Sequence, residues 1–473
     1  MLSFCRSQHR NRLATLWAIH LKACGLSSRA FDALHATGLT MSVRWTSEAF
    51  KKIATREMKS ARAAMKSRVC LWSYDNVNIP KCVFSMRIDK ENHFYSATAG
   101  TVWVLPKSIS LSPGINTEYQ EMRRDGAHEA FDLNAFFSGK GSEGAADLRV
   151  KAQAKYRILR FLLESPAFAT FGGRGSPILA APPPVHQLSC GEEDAVNQFI
   201  LHTADIEEAS YDGNMRVIEE WLQQLQMGTS DEKKKLKDRL IPIVGDQLTI
   251  ERLRKMASFR HEDDNTYERM DYALLVIGWF HLAVMFTHSV LKQYLGTSSG
   301  IGLRRAFDLM NRKNLAKPHV KGPYWHHLDE ALWHVAEALS LAGWLHVSGA
   351  HKLEDLTSKS PEELVALAER VHTECASRVA LLNEEGTETV DEYRQHSVTF
   401  LADILVYCDL REAITIGDVG RMEDLLKPIL LRFAGGENPK YTIEVLEVLQ
   451  GLKREWTPEV VCVYTLGSVL VQN

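Results

Sequence analysis

The sequence has no C-x-x-C pair, no apolar run of membrane length and no excess of charge of either sign. Each absence removes a class of protein. The eight cysteines, Cys5, Cys24, Cys70, Cys82, Cys190, Cys375, Cys408 and Cys462, lie far apart, which argues against a zinc ribbon or finger. The longest apolar stretch, YALLVIGWFHLAVMF from Tyr272 to Phe286, contains His281. It falls short of the roughly 20 residues that a membrane helix needs, so it reads as buried core and no membrane partner is expected. A formal net charge of -3 lacks the basic balance of a dedicated nucleic-acid binder and leaves only a local patch to supply such contacts. Met1 to Arg12 is basic and mixed, without the apolar centre of a secretory signal, so reduced thiols in an intracellular setting are the expectation. No repeat of fixed period is found, which excludes solenoids and propellers.

What is present is an ordinary globular composition, 45% apolar and 24% charged over 473 residues. On a scale of about 100–200 residues per domain this is enough for one large core or two to three smaller ones. Residues 11–68 carry apolar positions at helical spacing, with Gly25 and Gly38 as stops. Within them, KKIATREMKSARAAMKSR from Lys51 to Arg68 holds seven basic residues and one acid; it reads as a solvated helix face or as a phosphate-contacting helix. The pattern then changes. VCLWSY, CVFSMRI (Cys82 to Ile88) and YSATAGTVWVL (Tyr95 to Leu105) predict three short strands in an antiparallel meander, and Pro106 to about Ala146 reads as loop. A helix is predicted over Leu148 to Ser165, and the triple proline Pro182 to Pro184 marks a surface loop. Helix signals resume at Asp212 to Gln226. LIPIV and YALLVIG predict two further strands, and nearly everything from Trp279 to Phe433 is helix-patterned.

Two acids stand immediately behind predicted strands: Asp75 in SYDNVNI and Asp246 in VGDQLT. If the two strands are neighbours, both carboxylates project from one end of a sheet and can share a divalent cation; hard oxygen ligands suit Mg²⁺ or Mn²⁺. Such pairs serve two-metal phosphodiester chemistry, normally with a third acid. The plainer alternative is that each Asp caps the turn or helix that follows it. Other patterns carry less. Gly296-Thr297-Ser298-Ser299-Gly300 fits G-x-S-x-G, but VLKQYL ahead of it continues a helix where a nucleophile elbow needs a strand. His326, Glu330 and His334 fall four apart on one helix face, as metal ligands or simply as a polar face. The GGRGS segment lacks the Lys-Ser/Thr of a P-loop.

The blocks SYDNVNI, VGDQLTIERLR, GWFHL, GDVGRMEDLL and RFAGGENPKYTIEVLEVL resemble domain-of-unknown-function family 6589, abundant in mushroom-forming fungi, from about residue 25 onward. That family in turn is similar to transposases of the ribonuclease-H-like superfamily. The resemblance implies a catalytic, metal-binding triad of Asp75, Asp246 and Glu444, the last in Tyr441-Thr442-Ile443-Glu444, with Glu447 as the rival acid one turn away. It also implies supporting roles for Asn76, Asn78, Gln247 and Thr249. His281 in Gly278-Trp279-Phe280-His281 matches the His of a Cys-or-Asp-x-x-His motif whose first member is missing here, so a core histidine is the alternative. Transposases of the hAT group place an all-helical insertion between the second Asp and the Glu, and the stretch from Asp246 to Glu444 is similar.

The expected fold is therefore α/β: a ribonuclease-H-like mixed sheet of about five strands flanked by helices, with a large all-helical insertion before the last catalytic helix. The expected domains are an N-terminal helical region, 1–66; a core, 67–280, with a loop/helix insertion at about 106–210; the helical insertion, 281–430; and C-terminal helices, 431–473, that complete the core. The expected function is that of a transposon-derived, transposase-like protein with a Mg²⁺- or Mn²⁺-dependent DNA cleavage and strand-transfer site, active or silenced. The alternative is a non-catalytic scaffold, or a nucleic-acid- or protein-binding relic of the same fold. DNA as partner and nuclear residence follow from the resemblance, and the oligomeric state stays open.

Overall fold

The computed structural model describes residues 12–81, 93–128, 144–298, 300–312, 315, 324–382 and 391–470. The chain divides into two compact units, Met1–Lys107 with Val196–Leu236, and Ser108–Ala195 with Lys237–Asn473.

Unit one begins with helices α1 (Arg12–Ala23), α2 (Ser28–Ala36) and α3 (Val43–Ser67). Gly25 and Gly38 follow the first two with φ of 76° and 72°, a left-handed backbone that glycine adopts without penalty. Ala14, Ala18, Phe31 and Met41 form a small core among these helices. Ser42 caps α3, accepting from the Trp45 amide at 3.2 Å. Met58, Ala61 and Met65 mark the buried face of α3, while Lys52, Arg56, Lys59 and Lys66 stand exposed on the opposite side, as a period of 3.6 residues dictates. Strands β1 (Cys70–Lys81) and β2 (His93–Val104) pair antiparallel, with Trp72 opposite Val102 and Asp75 opposite Ala99. The strand expected at Cys82 to Ile88 lies outside the described residues.

The chain next enters unit two with α4 (Ile115–His128) and α5 (Ala145–Glu164). Helix α4 corrects the loop expected from Pro106 to Ala146. Its buried face is only Ile115, Asn116, Tyr119 and Gly126, too sparse an apolar stripe to stand out among polar neighbours. The triple proline lies in irregular backbone, as expected. Returning to unit one, the chain forms β3 (Asn197–Ile200), antiparallel to β2, and α6 (Tyr211–Gln224). Trp221 of α6, 1% exposed, lies against β2, where a Cβ added at Gly100 would fall 2.6 Å from the indole. Tyr74 packs edge-on against that ring, centroids 4.8 Å apart, and donates to Asn214 Oδ1 at 2.9 Å.

The remainder belongs to unit two. Strand β4 (Ile241–Gly245), helix α7 (Gln247–Phe259) and strand β5 (Ala273–Ile277) come first, and β4 and β5 pair in parallel with Val244 opposite Val276. Every residue of β4 is buried, as a parallel strand covered on both faces requires; α7 and the final helix supply cover. Then follow α8 (Trp279–Tyr294), α9 (Tyr324–Ser348), α10 (Pro361–Cys375), α11 (Glu392–Ile416), α12 (Leu426–Gly435), α13 (Pro439–Gln450) and α14 (Pro458–Leu470). Helices α5, α9, α10 and α11 pack on one another and α8 packs on α9 and α11, around Phe161, Phe286, Trp344, Phe400 and Tyr407. The fold of the described residues is thus mixed α/β, with five strands among many helices, three of the strands antiparallel and two parallel. No helix among the described residues is long and apolar enough to cross a membrane.

Candidate functional site

Asp75 lies in unit one, at the middle of β1 rather than beyond its end, because the strand runs on through Val77 and Ile79 against β2. Its side chain is exposed, and Oδ1 accepts from the Asn76 amide at 2.7 Å. Asn76 does not face Asp75 with its own amide. It donates to Glu208 Oε1 at 2.9 Å, a carboxylate only 2% exposed that no sequence pattern marked. Asn78 accepts from the Ser96 hydroxyl at 2.9 Å.

In unit two, Asp246 follows β4 directly, in extended backbone at φ −69° and ψ 169°, and caps α7. Its Oδ1 accepts from the Thr249 amide at 2.7 Å, the bond that satisfies an otherwise orphaned donor at a helix start. Thr249 and Gln247 are both buried. The Gln247 amide donates to Glu251 Oε2 at 2.9 Å, and Lys440 of α13 reaches the same oxygen at 3.0 Å. Hydrogen bonds from Lys255, Gln247 and Lys440 hold the Glu251 carboxyl down at about 2. His281 is half-buried in the first turn of α8, its ring 5.6 Å from that of Phe280.

Glu444 of α13 is buried, 2% exposed. Both of its oxygens are taken by Arg254 of α7, Nη1 to Oε1 at 3.1 Å and Nη2 to Oε2 at 2.8 Å, the parallel two-bond geometry that guanidinium and carboxylate share. Burial alone would lower the Arg254 pKa, but the bonds and charge of Glu444 raise it. Glu447, one turn on, is 46% exposed and stands 3.8 Å from Arg254 Nε. Asp246 and Glu444 come near a common neighbour: burial, and then the charges of Asp246 and Glu444, raise the pKa of the Tyr441 phenol. Unit two therefore brings the second and third predicted acids to one neighbourhood, at the junction of β4, α7 and α13. Arg254 lay within the VGDQLTIERLR block, yet nothing in one dimension ties it to an acid so remote in the chain.

A divalent ion fits this arrangement poorly. The Asp246 carboxylate offers one oxygen beyond its cap bond, but the Arg254 fork spans both oxygens of Glu444, so a dication there would face a fixed positive charge. Among the described residues no group of three or more His, Cys, Asp and Glu side chains is placed to hold a metal. His326, Glu330 and His334 are exposed on α9, and Glu330 is bound at both oxygens by Arg312, each at 2.9 Å. Helix α8 precedes the Gly296 segment, which leaves no strand for a nucleophile elbow.

Fold and site together define a mixed α/β chain with an acid capping the helix behind a parallel strand and, beside it, a buried glutamate held by a half-buried arginine. The chain belongs to the family of unknown function DUF6589, whose model matches residues 140–472. Asp246, Arg254 and Glu444 fall inside the match, and Asp75 falls outside it. The family likeness, expected from about residue 25, is thus shown from residue 140. No curated protein and no solved structure matches the chain.

Proposed function

We propose that the chain is a transposon-derived, transposase-like protein that binds DNA without cutting it, its acidic site closed by Arg254. One observation carries the reading. The acid assigned as third metal ligand by the resemblance is buried and neutralised by a two-point guanidinium contact, so the charge a metal would balance is already balanced. The ribonuclease-H-like assignment belongs to the same proposal. It is supported by an acid directly behind the parallel strand β4 and by the helices that fill the chain between Asp246 and Glu444.

A second reading keeps the cleavage site alive, with Asp75, Asp246 and Glu444 as ligands of Mg²⁺ or Mn²⁺. Its support is the shared effect of Asp246 and Glu444 on Tyr441; Asp75 enters it from the resemblance alone.

Nicking of supercoiled plasmid by the purified chain, with Mg²⁺ and with Mn²⁺, separates the two. The first reading expects background nicking from the natural chain, Asp75→Asn and Asp246→Asn alike. Metal-dependent nicking that both substitutions abolish would overturn it in favour of the second.

A further inference from the structure

Beside the acidic site, unit two has an open cleft of about 920 Å³ between α4 and α7, within the range of small-molecule sites. Among the described residues five strong cations line it, Arg123, Arg124, Lys237, Arg254 and Arg269, against one carboxylate, that of Asp271. Arg269 is bound to Asp271 at 2.8 Å, Arg254 to Glu444, and Arg123 stands 3.8 Å from Glu455. Arg124 and Lys237 are exposed and form no ion pair among the described residues; Arg124 Nε donates only to the Gln120 carbonyl of its own helix, at 3.3 Å. The wall that carries Lys237 is pinned to α4, since Asn116 Nδ2 donates to the Lys237 carbonyl at 3.0 Å. The two unpaired charges therefore border one concavity together, Arg124 on α4 and Lys237 on the segment bonded to that helix. Clefts of one sign with low-dielectric walls concentrate the opposite charge.

No Phe, Tyr or Trp is among the described residues that line the cleft. A base or an aromatic ligand thus has no platform on which to stack, and the lining recognises charge and hydrogen-bond acceptors alone. We infer that the cleft is a binding site for a compact anion bearing several phosphate groups, of the inositol polyphosphate or inorganic polyphosphate class, with Arg124 and Lys237 as its principal contacts. Phosphate offers each guanidinium two acceptor oxygens at matched spacing. The inference stands apart from the reading of the acidic site, because neither Arg124 nor Lys237 touches Asp246 or Glu444.

The test is calorimetric titration of the full chain at physiological salt, with inositol hexakisphosphate and tripolyphosphate as probes, uncharged inositol as blank and a single-stranded oligonucleotide as rival. Saturable one-site binding of the phosphorylated probes is expected, with a rise in unfolding temperature as they are added. Arg124→Gln with Lys237→Gln should weaken it at least tenfold, whereas Lys52→Gln with Lys59→Gln on α3 should leave it unchanged. Both pairs are exposed, so folding is preserved. The inference fails if no probe saturates below millimolar concentration, if the two double variants lose affinity equally, or if the oligonucleotide binds more tightly than either probe through Arg124 and Lys237. Plasmid nicking in either direction leaves this outcome untouched.

Discussion

Arg254 of α7 and Glu444 of α13 meet through two parallel hydrogen bonds, at 3.1 and 2.8 Å, with the carboxylate almost wholly removed from solvent. Removing one member of such a pair strands the other charge in a low-dielectric setting. Replacing both by apolar groups removes the attraction and the desolvation cost together. Glu444→Leu or Arg254→Met should therefore each destabilise the chain by roughly 3 kcal/mol, and the two together by much less. Urea unfolding of the four proteins, read as a double-mutant cycle, checks this. Additive losses would show that the pair is not coupled.

Asp246 gives a second, separable expectation. Its bond to the Thr249 amide is a cap, and asparagine caps as well as aspartate does, so Asp246→Asn should leave stability nearly unchanged. Asp246→Ala should cost about 1 kcal/mol. Equal losses by urea titration would show that the charge, not the cap, is what the fold uses. The asparagine variant is thus a sound probe of chemistry in the nicking assay.

Acid stability should depend on Glu412. This residue of α11 faces Arg157 of α5 at 2.5 Å and Arg421 at 2.7 Å. Burial alone would raise its carboxyl, but the bond from Arg421 and the charge of Arg157 outweigh that and hold it at about 2, below the ordinary 4.5. The unfolded chain then takes up a proton that the folded chain refuses. The contribution is complete above pH 4.5 and disappears as pH falls toward 2. Denaturant titrations should show the advantage of the natural chain over Glu412→Gln shrinking through that window; a constant gap would refute the assignment.

Gly100 of β2 carries a steric expectation. The Trp221 ring occupies the space of a side chain there, and at 1% exposure it has nowhere to swing. Gly100→Ala should cost about 1–3 kcal/mol through overpacking, measured by thermal unfolding. A neutral result would mean that α6 slides off β2 at little cost.

How far these features could be read in one dimension depended on whether their cause was local. Strand β4, with Asp246 behind it, was legible because four apolar residues run into Gly-Asp, a strand end and a helix cap in adjoining positions. The long helices from Trp279 to Phe433 announced themselves by period. Helix α4 did not, since its packing face includes an asparagine and a glycine, and β3 did not, since its four residues NQFI are largely exposed. The end of β1 reads too early, before Asp75, because Asn76 and Asn78 look like turn residues, whereas pairing with β2 draws them into the ladder. Arg254 was unreadable as a partner of Glu444: an arginine on an amphipathic helix looks like surface until the fold brings α13 against α7.

Unit one is written in two instalments. Strand β3 pairs with β2, Val104 against Asn197, and α6 seats Trp221 on Gly100, yet all of residues 108–195 emerge from the ribosome between the partners. Until the second instalment is translated, β2 waits with an open edge and an uncovered glycine, the kind of exposure that chaperones bind and that neighbouring nascent chains can pair with. Slow translation or truncation ahead of residue 197 should accordingly yield an aggregating product rather than a smaller folded one.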